Sequence, residues 1–95
     1  MNDKDLLNKV KEHLHEGTYF LAKHALERQI ERHINLPEIL FVLEWGKREK
    51  NRDSFDVRRQ LWKYAIRGKT SKGIDLRVII SFDKAMVIIT VMKVK

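Results

Sequence analysis

The sequence predicts an α+β protein in which N-terminal helices pack on one face of a three- to four-stranded antiparallel sheet. Three observations lead to this fold class. Apolar residues recur at helical spacing through residues 1–45, Val- and Ile-rich runs dominate residues 46–95, and helix-breaking residues separate the segments. The 95 residues fit one domain, with helices over about 3–45 and the sheet over about 47–94.

The first helix is predicted over about residues 3–16. Its apolar positions repeat at helical spacing, and Gly17 is a natural stop because glycine readily adopts the left-handed conformation that ends many helices. The β-branched and aromatic stretch 18–21 follows. We expect it to form either a short edge strand or an extended connection.

Two further helices are predicted before the sheet begins. The second covers roughly residues 22–33, where apolar residues return at every fourth position. The third runs to Trp45, because Asn35 is a favourable N-cap and Pro37 is tolerated in a first helical turn.

The second half of the chain is predicted to supply the strands. Residues 47–56 are charged and lack periodicity, which indicates a loop with a short strand. Residues 58–67 alternate loosely, and the Val- and Ile-rich runs 75–82 and 86–94 form an antiparallel hairpin. The segment GKTSKG (68–73) joins two strands instead of opening a helix, so it is predicted to be a flexible basic loop and not a Walker motif.

The net charge of +7 is concentrated in the second half of the chain. Residues 1–45 contain 6 Lys/Arg and 8 Asp/Glu (6 − 8 = −2), whereas residues 46–95 contain 14 and 5 (14 − 5 = +9). This asymmetry predicts a polyanionic partner, with RNA as the first candidate. A solvated surface that keeps the protein soluble is the alternative.

Composition also limits the function classes. The chain has no cysteine, which excludes disulfides and thiolate metal ligands, and its four histidines are not spaced as helical zinc ligands. We therefore expect neither a metal nor another cofactor. The first residues include acids and do not resemble a signal peptide, and no apolar run is long enough to span a bilayer. A cytoplasmic protein without membrane contact is expected.

His24 is a candidate for proton transfer. It lies one helical turn before Arg28 and near Glu27 and Glu31, on the polar side of the predicted second helix. A histidine beside arginine and carboxylates suits general acid–base chemistry. From spacing alone, a solvated and charged helix face explains the same pattern.

Basic side chains of the predicted sheet and loops are candidates for phosphate binding, because the planar guanidinium group bonds phosphate oxygens in pairs. The alternation places Lys63 and Arg67 on one face, and if Arg77 shares that face the three side chains converge on one surface. Trp62 and Tyr64 fall on the other face, where we expect Trp62 in the core and Tyr64 at a rim. The candidate RNA-binding residues are Arg58, Arg59, Lys63, Arg67, Lys69 and Lys72.

Four separated blocks carry a family likeness: HALERQIERHI (24–34), LPEI (36–39), LRVII (76–80) and IITV (88–91). They resemble the small bacterial family known only as domain of unknown function 4258. Its pattern has a histidine and Glu-Arg on one helix, Arg-x-Ile at the end of that helix, and closing strands with an Ile-Thr-Val segment. The resemblance covers about residues 18–94, and the family usually has glycine where His33 stands.

This family is similar to the RelE-like toxin superfamily, which includes BrnT-type and MqsR-type ribonucleases. The resemblance implies a RelE-like fold, metal-independent cleavage of RNA and an antitoxin protein as partner. Such cleavage needs groups that move protons and cations that neutralise the phosphate. On this hypothesis the catalytic residues are His24, Arg28, Tyr64 and Arg77.

A second function remains open on the same scaffold. The sequence contains no unmistakable catalytic set, so a non-catalytic module that binds nucleic acid or a protein is the alternative to an endoribonuclease. The charge asymmetry favours a polyanion in both cases.

Overall fold

The computed structural model describes residues 1–95 as three α-helices and six β-strands, which confirms the predicted α+β class. No helix is both long enough and apolar enough to cross a bilayer. The elements are α1 (Asp3–Glu16), β1 (Tyr19–Leu21), α2 (Lys23–Glu31), α3 (Leu36–Trp45), β2 (Lys47–Arg48), a 3-10 turn (Lys50–Arg52), β3 (Ser54–Asp56), β4 (Leu61–Lys69), β5 (Asp75–Asp83) and β6 (Ala85–Lys93).

The sheet is larger than predicted and mixed in direction. Its strand order is β1-β6-β5-β4-β2, and β3 pairs with β4 as well. The predicted sheet of three or four antiparallel strands is therefore wrong, because β1 pairs in parallel with β6 and two short strands, β2 and β3, are added beside β4. A possible edge strand at 18–21 and a short strand within 47–56 were expected, and β1, β2 and β3 lie there. Strands of two or three residues carry too little alternation to predict their direction or their partners.

The outer edge of β4 is covered by β2 and β3 in succession, with the 3-10 turn between them. Between β2 and β3, on the outer edge of β4, Ala65 has no strand residue opposite it. Its N–H donates to the Asp53 carboxylate at 3.0 Å, and its carbonyl accepts from the Glu49 N–H at 2.8 Å. A side chain thus replaces one missing bond of the ladder.

A buried ion pair fixes this interrupted edge. The guanidinium group of Arg48 donates to Asp53 Oδ2 at 2.6 and 2.8 Å, and both side chains are buried. Arg48 also donates to the Met1 carbonyl at 2.6 Å and to Asp3 at 3.1 Å. One side chain therefore connects the N-terminus, β2 and the start of β3.

The helices cover one face of the sheet. α1 packs on α3, α3 lies on β4 and β5, and α2 lies along the β6 edge. The even-numbered residues of β4 and β5 face the helices, and the odd-numbered residues, including Lys63, Arg67 and Arg77, face the open side. The alternation predicted this for Lys63 and Arg67, and the pairing of Arg67 with Arg77 adds the third side chain. The core consists of Leu6, Val10, Ala25, Ile34, Ile39, Val42, Leu43, Tyr64, Ile66, Leu76, Val78, Ile80, Met86, Ile88 and Val91.

Trp62 is not in this core, contrary to prediction. It points to the helical side of the sheet, but it lies near the start of β4, where its side of the strand is not covered by a helix. The residue is 51% exposed, and its ring meets Phe55 edge-on, with 5.4 Å between centroids.

Local capping explains where the helices begin and end. α1 is capped by Asn2 and stops at Gly17, which has a φ of 71°, and α3 begins with a capping box between Asn35 and Glu38. α2 is shorter than predicted. After it, His33 has a φ of 54°, a left-handed conformation that glycine adopts more easily, which accounts for the glycine in the family pattern.

We predict that Asp53→Ala lowers the free energy of unfolding by about 3–5 kcal/mol, because Arg48 and the Ala65 N–H would lose their buried partner. Asp53→Asn should lose less, since its amide oxygen can still accept from Ala65. Urea unfolding at pH 7 measures both. Asp3→Ala, which removes the exposed partner of the same arginine, is the matched control and should cost less than about 1 kcal/mol. Equal losses for Asp53→Ala and Asp3→Ala would contradict this account.

Candidate functional site

A groove of about 490 Å³ crosses the open face of the sheet at the end next to α2. Its volume lies within the range of about 300–1,000 Å³ that is typical of ligand sites. One wall comes from the start of α2, the opposite wall from the β3–β4 connection, and the floor from β4, β5 and β6. Segments far apart in sequence therefore meet in one place.

The first wall is the N-terminal turn of α2, formed by Ala22, Lys23 and His24. The Ala22 N–H donates to the Ile88 carbonyl at 2.9 Å, which fixes this turn to β6. Ala22 has no side chain that can cap the helix, and the first turn contains no acidic residue. The first N–H groups of a helix have no partner within it, and they give this end a partial positive charge.

The second wall is the turn between β3 and β4, which presents Arg58 and Arg59. The Asp56 carboxylate accepts from the Arg59 N–H at 3.1 Å, and the Gln60 side chain donates to the Val57 carbonyl at 2.6 Å. These bonds within the turn hold its backbone in one conformation. The two arginines are therefore displayed from a fixed support.

The floor consists of open-face residues of three neighbouring strands. β4 contributes Leu61 and Lys63, β5 contributes Ser81, and β6 contributes Val87 and Ile89. Leu61, Val87 and Ile89 make most of the floor apolar. The ammonium group of Lys63 and the hydroxyl group of Ser81 are the two polar side-chain groups of the floor.

The groove is positively charged and its cations are unpaired. Lys23, Arg58, Arg59 and Lys63 form no salt bridge. Of the six arginines outside the groove, Arg28, Arg48, Arg67 and Arg77 each bind a carboxylate, and Arg32 and Arg52 do not. Asp56 is the one acidic residue of the lining. Nowhere in the chain do three His, Asp or Glu side chains lie close enough to hold a metal ion. The arrangement suits an anion.

His24 is the one predicted catalytic residue that lines this groove. Its Nδ1 lies 3.6 Å from Glu27 Oε2, and its ring is exposed. A carboxylate at this distance can orient the ring and stabilise an imidazolium. Arg28, one turn along α2, instead donates to Glu31 at 2.9 Å and is not part of the lining.

Tyr64 and the two open-face arginines occupy other positions. Tyr64 belongs to the helix-covered face and is 8% exposed, so it lies neither in the groove nor at a rim. Arg77 donates to Glu49 at 2.5 and 3.2 Å, and Arg67 binds Asp75 through two bonds of 2.8 and 3.2 Å. Arg67 also reaches Glu49 at 3.3 Å, which joins these side chains in one network.

This network of Glu49, Arg67, Asp75 and Arg77 neutralises its own charge. Hydrogen bonds from Arg77 hold the pKa of the Glu49 carboxyl below its ordinary value, although burial acts in the opposite direction. Bonds from Arg67 lower the pKa of Asp75 in the same way. Both carboxylates therefore stay ionised, and the two arginines have less capacity for phosphate than their exposure on the open face suggests.

The loop lysines Lys69 and Lys72 are at the far end of the sheet. Six residues of β4 separate Lys63 from Lys69, or about 20 Å at a strand rise of about 3.3 Å per residue. The loop between them is more ordered than predicted, because buried Thr70 accepts from the N–H groups of Lys72 and Ile74.

Of the sequence candidates, the structure brings His24, Arg58, Arg59 and Lys63 together at one groove. The sequence analysis missed Lys23 and Ser81 in the same lining, and Glu49 as the partner of two arginines. A polar residue at an open-face position of an apolar strand was the available signal for Ser81. No pattern in the sequence pointed to Glu49.

We predict that Glu49→Gln lowers the free energy of unfolding by about 1–3 kcal/mol at pH 7, because two charge-assisted bonds from Arg77 are weakened. A carboxyl whose pKa is depressed by folding stabilises the protein above its unfolded pKa of about 4.3 and loses this contribution as the pH falls through the folded pKa. The difference from the parent, measured by urea unfolding, should therefore shrink below about pH 4. The exposed Glu16→Gln is the control, and a difference independent of pH would contradict the prediction.

Comparison with known proteins identifies the family of this chain. The model of the family described as "Domain of unknown function (DUF4258)" matches residues 21–93, which include both walls and the whole floor of the groove. No curated protein and no solved structure gave a significant match. The chain therefore belongs to the family of domain of unknown function 4258.

Proposed function

We propose that this protein is a toxin-like endoribonuclease that binds RNA in the groove and cleaves it without a metal ion. The observation that carries the proposal is the convergence of His24 with the unpaired cations Lys23, Arg58, Arg59 and Lys63 on one lining. A proton-transfer group and several free positive charges are the parts that RNA cleavage by side chains requires.

Binding in this proposal depends on phosphate contacts. Arg58 and Arg59 project from a braced turn, where each guanidinium can donate two parallel bonds to one phosphate. Lys63 supplies a further charge from the floor. Such contacts position the RNA backbone without reading its sequence, and they make the affinity strongly dependent on salt.

The proposed reaction is transesterification within the RNA. The ribose 2′-oxygen attacks the adjacent phosphorus, the bond from phosphorus to the 5′-oxygen breaks, and the products are a 2′,3′-cyclic phosphate and a free 5′-hydroxyl. His24 accepts the proton from the 2′-hydroxyl, and Glu27 stabilises the resulting imidazolium. Lys63 neutralises the charge that develops on the phosphorane oxygens, and solvent returns a proton to the 5′-oxygen.

We further propose that the fold is RelE-like and that an antitoxin regulates the protein. The support is the antiparallel run of β4, β5 and β6 after α2 and α3, together with the motif blocks of the sequence. An inhibitory partner would need only to cover the groove, since binding and cleavage are both assigned to it.

We predict that the double variant Arg58→Ala/Arg59→Ala binds single-stranded RNA roughly ten- to a hundredfold more weakly, because charge-assisted bonds contribute about 1.5–3 kcal/mol each before compensation. The slope of log affinity against log salt should become shallower by about 1.4, at about 0.7 per lost phosphate contact. Fluorescence anisotropy with a labelled oligonucleotide of about 20 residues measures both quantities.

The matched control is Lys69→Ala/Lys72→Ala, which removes the same charge from the far end of the sheet. Its affinity should stay within about threefold of the parent if the groove binds the RNA. Equal losses for the two double variants would show that binding depends on overall charge, and would remove the support for this groove.

We predict that His24→Ala slows RNA cleavage by about 10²–10⁴-fold and leaves affinity within about twofold, because a general base contributes to the reaction and little to binding. Gel analysis of a defined RNA, with chelator present, measures the rate and the cyclic phosphate end. A DNA oligonucleotide of the same sequence should bind and remain intact, because it lacks the 2′-hydroxyl.

Two results would contradict the proposal in different ways. Unchanged cleavage by His24→Ala would exclude this histidine as the base. Binding without cleavage by the parent protein, under every condition, would exclude the enzyme and leave a nucleic-acid-binding module in the same groove.

A further inference from the structure

Besides the buried ion pair of Arg48 and Asp53, three polar residues are buried in this protein, and two of them have a structural role. Glu38 forms the capping box of α3 with Asn35, and Thr70 accepts two backbone N–H groups within the β4–β5 turn. Ser81 is the third, with 5% of the residue exposed. Its hydroxyl group makes no hydrogen bond within the protein, although buried polar groups are normally paired.

The unpaired hydroxyl group of Ser81 opens onto the groove. Every fully enclosed polar side-chain atom in the protein has a hydrogen-bond partner. The Ser81 oxygen has none, so it is not fully enclosed and must open onto the groove that Ser81 lines. A nearly buried hydroxyl that is free to donate only into a groove is suited to a ligand that accepts a hydrogen bond.

The register of the sheet places Ser81 near the start of α2. Ser81 lies directly opposite Val87 on β6, and Val87 lies opposite Phe20 on β1. Two strand spacings of about 4.8 Å, or about 10 Å in total, therefore separate the Ser81 backbone from that of Phe20. α2 begins three residues further along the chain, at Lys23, which lines the same groove as Ser81.

The N-terminal turn of α2 lines the same groove and has unpaired backbone N–H groups. Ala22, Lys23 and His24 line the groove, the helix start has no side-chain cap, and the first N–H groups have no partner within the helix. Anions bind well at such helix starts, where the backbone N–H groups and the partial positive charge act together.

We propose that the Ser81 hydroxyl and the N-terminal turn of α2 form a phosphate subsite, and that its ligand is a phosphodiester group of RNA. The identity of the ligand rests on the proposed function, whereas the preference for phosphate rests on the donors alone. The tetrahedral phosphate accepts from the serine on one side and from the backbone N–H groups of Lys23 and His24 on the other. Lys63 adds positive charge from the floor.

This subsite gives the groove a defined register. A phosphate held at the start of α2 lies beside His24, which is in the same helical turn. The phosphate that the serine holds is then the one whose neighbouring 2′-hydroxyl meets the imidazole. The phosphates on either side are left to Arg58 and Arg59.

The test is a titration of the folded protein with inorganic phosphate, and separately with a dinucleotide that contains one internal phosphodiester. Backbone amide shifts in ¹H–¹⁵N spectra report the position. We expect saturable shifts at Lys23, His24 and Ser81, at least fivefold weaker binding in Ser81→Ala, and retained binding in Ser81→Thr. Ser71→Ala, which removes a hydroxyl at the far turn, is the matched control and should bind as the parent does.

Stability separates a binding role from a structural role. Ser81→Ala should be at least as stable as the parent in urea, because it removes a hydroxyl that makes no internal bond. A marked loss of stability, or phosphate shifts that are absent or unaffected by Ser81→Ala, would overturn the subsite.

The two arms distinguish this inference from the function on which it builds. Phosphate shifts without RNA cleavage would keep the subsite and reject the ribonuclease. RNA cleavage that Ser81→Ala does not alter, in a protein without phosphate shifts, would keep the ribonuclease and reject the subsite. Shifts with phosphate but not with the dinucleotide would assign the subsite to free or terminal phosphate, and would overturn the assignment to a phosphodiester.

Discussion

The buried ion pair between Arg48 and Asp53 is the interaction on which the open face of the sheet depends. It holds β2 and β3 beside β4 although neither is long enough to persist alone. Because Asp53 also accepts from Ala65, the strand edge can be interrupted without leaving a buried N–H unpaired. The interruption lets Glu49 reach Arg77, and β3 carries the turn with Arg58 and Arg59. The Arg48–Asp53 pair thus supports both the charge-neutral network around Glu49 and the positively charged groove.

The basic residues of the open face fall into two groups, those paired with carboxylates and those without an acidic partner. Arg67 and Arg77 are held by carboxylates and contribute order to the sheet, whereas the cations around the groove have no acidic partner. A count of charges cannot make this distinction, because paired and unpaired arginines are identical in a sequence. Anion binding in the groove therefore depends on its four unpaired cations and not on the total charge of the second half.

The sequence predicts the elements that have local signals. α1 and α3 follow from their apolar spacing and from Asn35 and Gly17, which act within one turn. Short strands were expected near β1 and within residues 47–56, but β1, β2 and β3 pair with residues distant in sequence, so their direction and their place in the sheet could not be predicted. The candidate site divides in the same way. The type of residue suggested His24 and the basic candidates, but the partner of Arg77 lies 28 positions away, in a segment without periodicity.

The parallel pairing of β1 with β6 has a consequence for the order in which the protein is made. β1 and the start of α2 are fixed to residues 86–88, and the floor of the groove includes Val87 and Ile89. A ribosome must therefore release β6 before the two walls can face each other. A chain interrupted before that point could form helices, since these need only local contacts, but it would have no groove. The proposed groove is thus completed only after most of the chain has been synthesised.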